Sequence, residues 1–221
     1  MFRNESQPQD WVIGIASFLN VIRIVLVFSG VFFNVLIVVT CSRYPKPSSF
    51  IVLVSVLAYL DGVTSAWFGL RIMIFNTIGI QIEDINPIVC KIFRTVSKML
   101  WAESMWQITL LTHDRVVCLT FPLFYRTHGN VKNAKIVNLA MIVIVAIGNS
   151  PLLYYFQKRN GECIEDSSLW LHSAYDFVYY YFIKSLLPIS LVTCGNLLVR
   201  DGQWTPDFAR SEVELASGLI I

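Results

Sequence analysis

Long apolar runs, each about as long as a bilayer is thick, recur along this chain and constrain its fold more than any other feature. A helix needs roughly 20 mostly apolar residues to cross the hydrocarbon core, and only helices and closed barrels satisfy their own backbone there. The runs fall at residues 24–41 (with an extension back toward Trp11), 50–70, 89–119, 136–156 and 177–199. The third is the most polar, and the fifth contains Pro188, which a membrane helix tolerates when neighbouring helices re-satisfy the freed carbonyl. Charged residues make up 14% of the chain, against about 25% in a soluble globular domain. The expected fold is all-α, a multi-span transmembrane helical bundle. Residues 1–20 read as an extracellular N-terminal segment, 21–199 as the transmembrane domain, and 200–221, where charges return around Pro206, as an atypical cytoplasmic tail.

Several function classes find no support. Net charge is only +2 and no long basic run appears, which argues against nucleic-acid binding. The chain has five cysteines but no C-x-x-C pair, and its three histidines, His113, His128 and His172, are scattered. No metal site is expected. Nucleophile elbows, phosphate-binding glycine loops and H-E-x-x-H are all missing, so the chain does not read as an enzyme.

Lysine and arginine set the expected orientation. The stretch between the first two spans carries Arg43 and Lys46 with no acid, and that between the third and fourth carries Arg126, Lys132 and Lys135 with no acid. Both are expected inside, which puts the N terminus outside. The sequon Asn4-Glu5-Ser6 agrees and makes Asn4 a glycosylation candidate. The first ten residues are polar and do not resemble a cleavable signal peptide, so the first span is expected to direct its own insertion.

Polar residues inside the spans are the next signal, because an intramembrane charge is expensive. Asp61 lies in the middle of the second span, Asn34 in the first and Ser104 in the third. Together they form either a cation or proton site or a plain polar contact between helices. Ser97, Trp101, Ser104, Ile108, Leu111 and Arg115 recur at steps of three and four and share one helix face, which lines a cavity or simply packs. Cys90 and Cys163 both fall on the outer side, where a disulfide can form. The alternative leaves all five cysteines unbridged, and Cys41, Cys118 and Cys194 lie in or near the membrane in either case.

These residues, taken together, resemble the rhodopsin-like G-protein-coupled receptors over residues 30–199. Asn34 stands in NVLIV like the family's first-helix Asn, and LAYLD, ending in Asp61, is similar to its L-A-x-x-D. Cys90 precedes Arg115 by 25 residues, as the family's bridging Cys precedes its Arg. DRVVCLTFPLFYRTH, from Asp114 through Pro122 to His128, resembles the inner end of the third helix, and Pro151, Cys163 and Pro188 follow in the family's order. FPLFYRTHGNVKNAKIV is also similar to invertebrate neuropeptide receptors.

The resemblance implies a seven-helix receptor fold of which five spans are present, bridged from Cys90 to Cys163. It implies that Asp114 holds Arg115 at rest and that Arg115 meets a heterotrimeric G protein once an agonist binds. The basic stretch after Pro122 would face that G protein and anionic lipid. Asn34, Asp61 and Ser104 would form a sodium site. Ser97 stands where amine receptors carry Asp, which argues against a biogenic amine. Arg94, Ser97, Lys98 and Trp101 would face the ligand, and the surrounding charges and aromatics suit a peptide, with an odorant or lipid as the alternative.

Val116, Met141 and Asn196 depart from the family's usual Tyr, Trp and Tyr. No sixth or seventh span follows, so the expectation is a truncated receptor at the plasma membrane or retained in the endoplasmic reticulum. A shortened regulatory partner of full-length receptors is the alternative. A small transporter using Asp61, Glu103 and Lys184 is a further alternative, but the repeated broken spans it requires are missing.

Overall fold

The computed structural model describes residues 10–166 and 170–201, so Asn4 and most of the tail after residue 199 lie outside the described residues. The elements in chain order are helices α1 (Asp10–Ser42), α2 (Ser49–Ile78), α3 (Pro87–Thr120), α4 (Pro122–His128), α5 (Val131–Asn149) and α6 (Leu152–Tyr155). Strands β1 (Phe156–Arg159) and β2 (Glu162–Glu165) follow, then α7 (Trp170–Tyr175), a π-helical segment (Asp176–Leu186) and α8 (Leu187–Asp201). A single 3-10 turn, Ile82–Asp84, sits between α2 and α3. The protein is thus an all-α bundle with one small antiparallel hairpin pairing Phe156 with Glu165 and Arg159 with Glu162.

Local chemistry sets the helix ends. Ser48 caps α2, its side chain accepting from the Ile51 amide, and Gly79 ends that helix at φ 75°, a left-handed conformation that costs glycine little. Asn86 accepts from the Val89 amide at 2.8 Å while Pro87 takes the first turn of α3, where its missing N–H costs nothing. Asn130 caps α5 in the same way, through the Asn133 amide. Proline cannot continue a helix behind it, so α3 stops at Thr120 and Pro122 opens the short helix α4.

The helices outrun the apolar runs that announced them. α1 begins at Asp10, within the segment assigned to the N-terminal extension, and α2 continues to Ile78. The fourth run ends one residue beyond its helices: α5 closes at Asn149, α6 continues to Tyr155, and Phe156 is the first residue of β1. Among the described residues four helical stretches are long and apolar enough to cross a membrane, namely Ser17–Ser42, Ser49–Ile78, Val131–Tyr155 and Ser173–Leu197. α3 has 34 residues and is less apolar because it occupies the middle of the bundle, against α2, α5 and α8.

The solvent logic is inverted, as a bilayer requires. Leu26 and Ile147 are 63% and 67% exposed, whereas Gln107, Asn149 and Glu103 are 0%, 0% and 2% exposed. Side chains that lipid tails cannot hydrogen-bond turn inward, and branched apolar ones turn out.

Candidate functional site

Three groups of polar residues lie along α3. The first is at the hairpin end of the bundle. A disulfide joins Cys90, in the first turn of α3, to Cys163 of β2. It sits in an apolar cluster with Leu152, Tyr155 and Phe156, and Tyr175 and Tyr180 pack against that cluster. The Cys163 amide also donates to the Asp84 carboxylate at 2.7 Å, tying the hairpin to the 3-10 turn. Because β2 is fixed at Cys163, Glu165 two residues on arrives over α3 and accepts from Lys98 at 2.9 and 3.2 Å. Cys41, Cys118 and Cys194 are unbridged.

Below the hairpin, α2, α3 and the π-helical segment enclose a cleft of about 330 Å³. All four residues expected to face a ligand, Arg94, Ser97, Lys98 and Trp101, line it. Arg94 lies 3.3 Å from the fully buried carboxylate of Glu83, which Arg71 also pairs with. Ser97 accepts from the Trp67 indole at 2.9 Å and donates to the Phe93 carbonyl at 2.7 Å. Trp101 is 61% exposed. Its ring meets the ammonium of Lys184, 4.7 Å from the centroid, and that ammonium also lies 4.5 Å from the Tyr180 centroid. Lys184 is 3% exposed and donates to the Lys98 carbonyl at 3.1 Å. Lys184 does not line the cleft itself but lies against two of its wall residues, Trp101 and Tyr180; the sequence reading named it only for a transporter, from one lysine inside an otherwise apolar fifth span.

The second group lies mid-bundle. Ser104 donates to Asp61 at 2.6 Å, so two of the three residues grouped as a polar site meet. Asn34 does not join them: its amide donates to the Gly30 carbonyl of its own helix at 2.8 Å, the ordinary way for a polar side chain to satisfy itself in an apolar helix. Asp61 is only half-buried and is not the most deeply placed ionisable residue; Glu83, Glu103 and Lys184 lie deeper. Glu103 belongs to a triad no motif announced. Gln107 donates to the Glu103 carboxylate at 2.9 Å and to the Asn138 carbonyl oxygen at 2.7 Å, clamping α3 to α5. Its sequence signal was the i, i+4 spacing of Glu103 and Gln107, which share a face.

The third group closes the opposite end. Asp114 accepts from Ser49 at 2.6 Å and from Tyr125 at 3.1 and 3.3 Å. Arg115 is exposed, its guanidinium 3.2 Å from the centroid of the Phe50 ring. The expected Asp114–Arg115 pair is not formed among the described residues, and helical geometry gives the reason. Adjacent residues on a helix do not face each other, so each finds a partner on a different neighbour. Pro122 contributes indirectly, by starting the helix that brings Tyr125 back to Asp114. Burial first, and then the adjacent Asp114 charge, hold the Tyr125 phenol above its ordinary value of 10.0, so it stays a donor at neutral pH.

Residues 24–198 match the model of a family described as serpentine type 7TM GPCR chemoreceptor Srx. No curated protein matches the chain.

Proposed function

The chain belongs to the Srx family of serpentine seven-transmembrane chemoreceptors, and on that premise we propose that it receives a small chemical ligand in the cleft beside Trp101 and relays its binding along α3 to a heterotrimeric G protein at Arg115. That family is one of receptors of the G-protein-coupled type, and the apolar helices make this chain an integral membrane protein.

The observation that carries the proposal is the course of α3. One uninterrupted helix lines the cleft with Arg94, Ser97, Lys98 and Trp101 and presents an exposed Arg115 at its other end. At 1.5 Å per residue, Trp101 and Arg115 are roughly 20 Å apart along one rigid element. In this reading the hairpin end is extracellular, the Arg115 end cytosolic, and the site of action the plasma membrane. Arg115 leans on a ring rather than a carboxylate, so a partner's acidic or carbonyl groups compete only with a cation–π contact. A ligand acts by binding one arrangement of the bundle better than another.

A peptide is the second reading, drawn from the same charges and from the likeness to neuropeptide receptors. Glu83 and Glu165 already hold Arg94 and Lys98, which leaves fewer charges for a peptide and puts the small ligand first. A sodium ion at Asp61 belongs to the same proposal, with Ser104 beside it through the hydrogen bond it donates to that carboxylate.

The test is nucleotide exchange on a heterotrimeric G protein added to membranes carrying the protein, over a panel of small water-soluble chemicals. The expected result is dose-dependent exchange that Trp101→Ala moves to higher dose and Arg115→Ala abolishes. Exchange that survives Arg115→Ala refutes coupling at this end.

A further inference from the structure

The chemical class of the ligand can be read from the charges around the cleft, and resting on the chemoreceptor reading above, we infer that the cleft takes a small carboxylic acid in its ionised form. Its acid group seats between Lys98 and Lys184, and its apolar body lies on Trp101.

Each of the three cations in the cleft wall is paired with a carboxylate. Arg71 and Arg94 share Glu83, and Lys98 pairs with Glu165. Lys184 differs. It is 3% exposed, yet among the described residues no carboxylate lies within ion-pairing distance of it. Its contacts are one carbonyl, of Lys98, and the faces of Trp101 and Tyr180. Glu103 is close in sequence to Trp101 but hydrogen-bonds to Gln107 in the clamp on α5. A cation withdrawn from water without a counter-ion is costly, and ring faces compensate only partly.

Lys98 makes the excess larger. Its ammonium also lies 4.5 Å from the Tyr180 centroid, and 5.2 Å from that of Phe156. Both ammonium groups therefore lie the same short distance from one ring, and four cations, three in the cleft wall and Lys184 against its Trp101 and Tyr180, stand against two carboxylates. One carboxylate can accept from both ammonium groups, directly or through a bridging water. Beside them Trp101 offers a largely exposed aromatic face, and Phe68 and Phe93 continue the apolar wall. A volume of about 330 Å³ suits a molecule of metabolite size. An amine would meet the same excess as repulsion, and a neutral ligand would leave Lys184 as it is.

The experiment uses two probe trios, each with one body and three heads: indole-3-acetate, indole-3-acetamide and tryptamine, and hexanoate, hexanamide and hexylamine. Each is titrated against the purified chain in detergent, and thermal unfolding is followed. The expected result is a saturable rise in melting temperature with the acids and not with the amides or amines. Lys184→Met is expected to weaken acid binding about 10- to 100-fold, the usual effect of losing a bond to a charged group, while Lys184→Arg keeps it within a few-fold. Without ligand, Lys184→Met is expected to melt no lower than the parent, because it removes an unpaired buried charge. A merely structural lysine would instead lower it.

An amide or amine that binds as tightly as its acid overturns the inference. If that binding also depends on Trp101, the chemoreceptor cleft itself stands. Acid binding untouched by Lys184→Met, or no shift with either acid, overturns the inference as well. Loss of ligand-dependent nucleotide exchange with acid binding intact would tell against the coupling proposal alone.

Discussion

Gln107→Leu is expected to be among the most damaging single substitutions in the bundle, although it replaces a polar residue by an apolar one inside a membrane protein. Gln107 is fully buried, and its amide nitrogen donates to both Glu103 and Asn138. Leucine fills nearly the same space, so no cavity term enters. It gains little from burial, since lipid tails are as apolar as leucine and supply no hydrophobic drive between helices. What remains is the cost of stranding a carboxylate oxygen and an amide oxygen without a donor. Each stranded group costs about 1–3 kcal/mol, while a hydrogen bond between membrane helices averages only about 0.6 and at most about 1.7 kcal/mol. The first effect wins because Glu103 and Asn138 are themselves 2% and 4% exposed and water cannot reach them. A loss of about 2–4 kcal/mol is expected. The triple variant Glu103→Leu, Gln107→Leu, Asn138→Val removes the stranded groups and should recover at least half of the loss, as replacing a whole buried polar set often does. The assay is reversible unfolding in mixed micelles of rising denaturing-detergent fraction, with the disulfide intact. A single-variant loss below about 0.5 kcal/mol, or a triple variant less stable than the single one, would refute the argument.

Reducing the Cys90–Cys163 disulfide, which closes a sequence separation of 73 residues, should destabilise the hairpin end by up to about 4–5 kcal/mol on the chain-entropy model, read as a fall in melting temperature with reductant. A non-reducing peptide map should show both cysteines protected from alkylation. Tyr125→Phe removes the donor to Asp114 and should cost about 0.5–1.5 kcal/mol, with faster amide exchange over residues 122–130. Since the Tyr125 phenol is held above 10.0 in the folded protein, its contribution is intact below that pH and fades as pH climbs through the raised value. Equal exchange in parent and variant would show that α4 is held by other contacts. Asp61→Asn should abolish any sodium-dependent rise in melting temperature, and an unchanged sodium response would leave Asp61 as a partner of Ser104 alone. Protease added to the cytosolic face of sealed vesicles should cut near Arg126 and Lys132; protection there would reverse the proposed orientation.

The apolar runs specified a helical bundle because the bilayer leaves a backbone so few choices. The caps were equally local: Asn86 with Pro87, Asn130, and Gly79 mark helix ends through bonds to residues three or four positions away. The relation of Cys90 to Cys163 was legible through resemblance, and Arg94, Ser97, Lys98 and Trp101 share the cleft because helical spacing keeps such residues on neighbouring faces. The end of the fourth run was placed one residue late because Phe156 is apolar in either setting, and apolar character does not distinguish the last turn of a span from the first residue of a hairpin packed on a disulfide.

Partner choice was another matter. Asp61 could have turned to Asn34 or to Ser104; Asn34 has a carbonyl one turn back that costs no rearrangement, and Ser104 has the short reach across to α2. Asp114 and Arg115 read as a pair because they are adjacent, yet adjacency on a helix separates side chains, and their partners come from two other places in the chain, Ser49 and Phe50 at the start of α2 and Tyr125 in α4. Nothing local marks Lys184 as lacking a carboxylate, or Gln107 as the clamp between α3 and α5. Sequence determined which segments are helical and what ends them locally, since burial in lipid and backbone capping act over a few residues. Only the tertiary structure decided which buried polar group meets which, because bonds such as Gln107–Asn138 and Lys184–Lys98 join residues 31 and 86 positions apart and exist only once the helices have taken their places around α3.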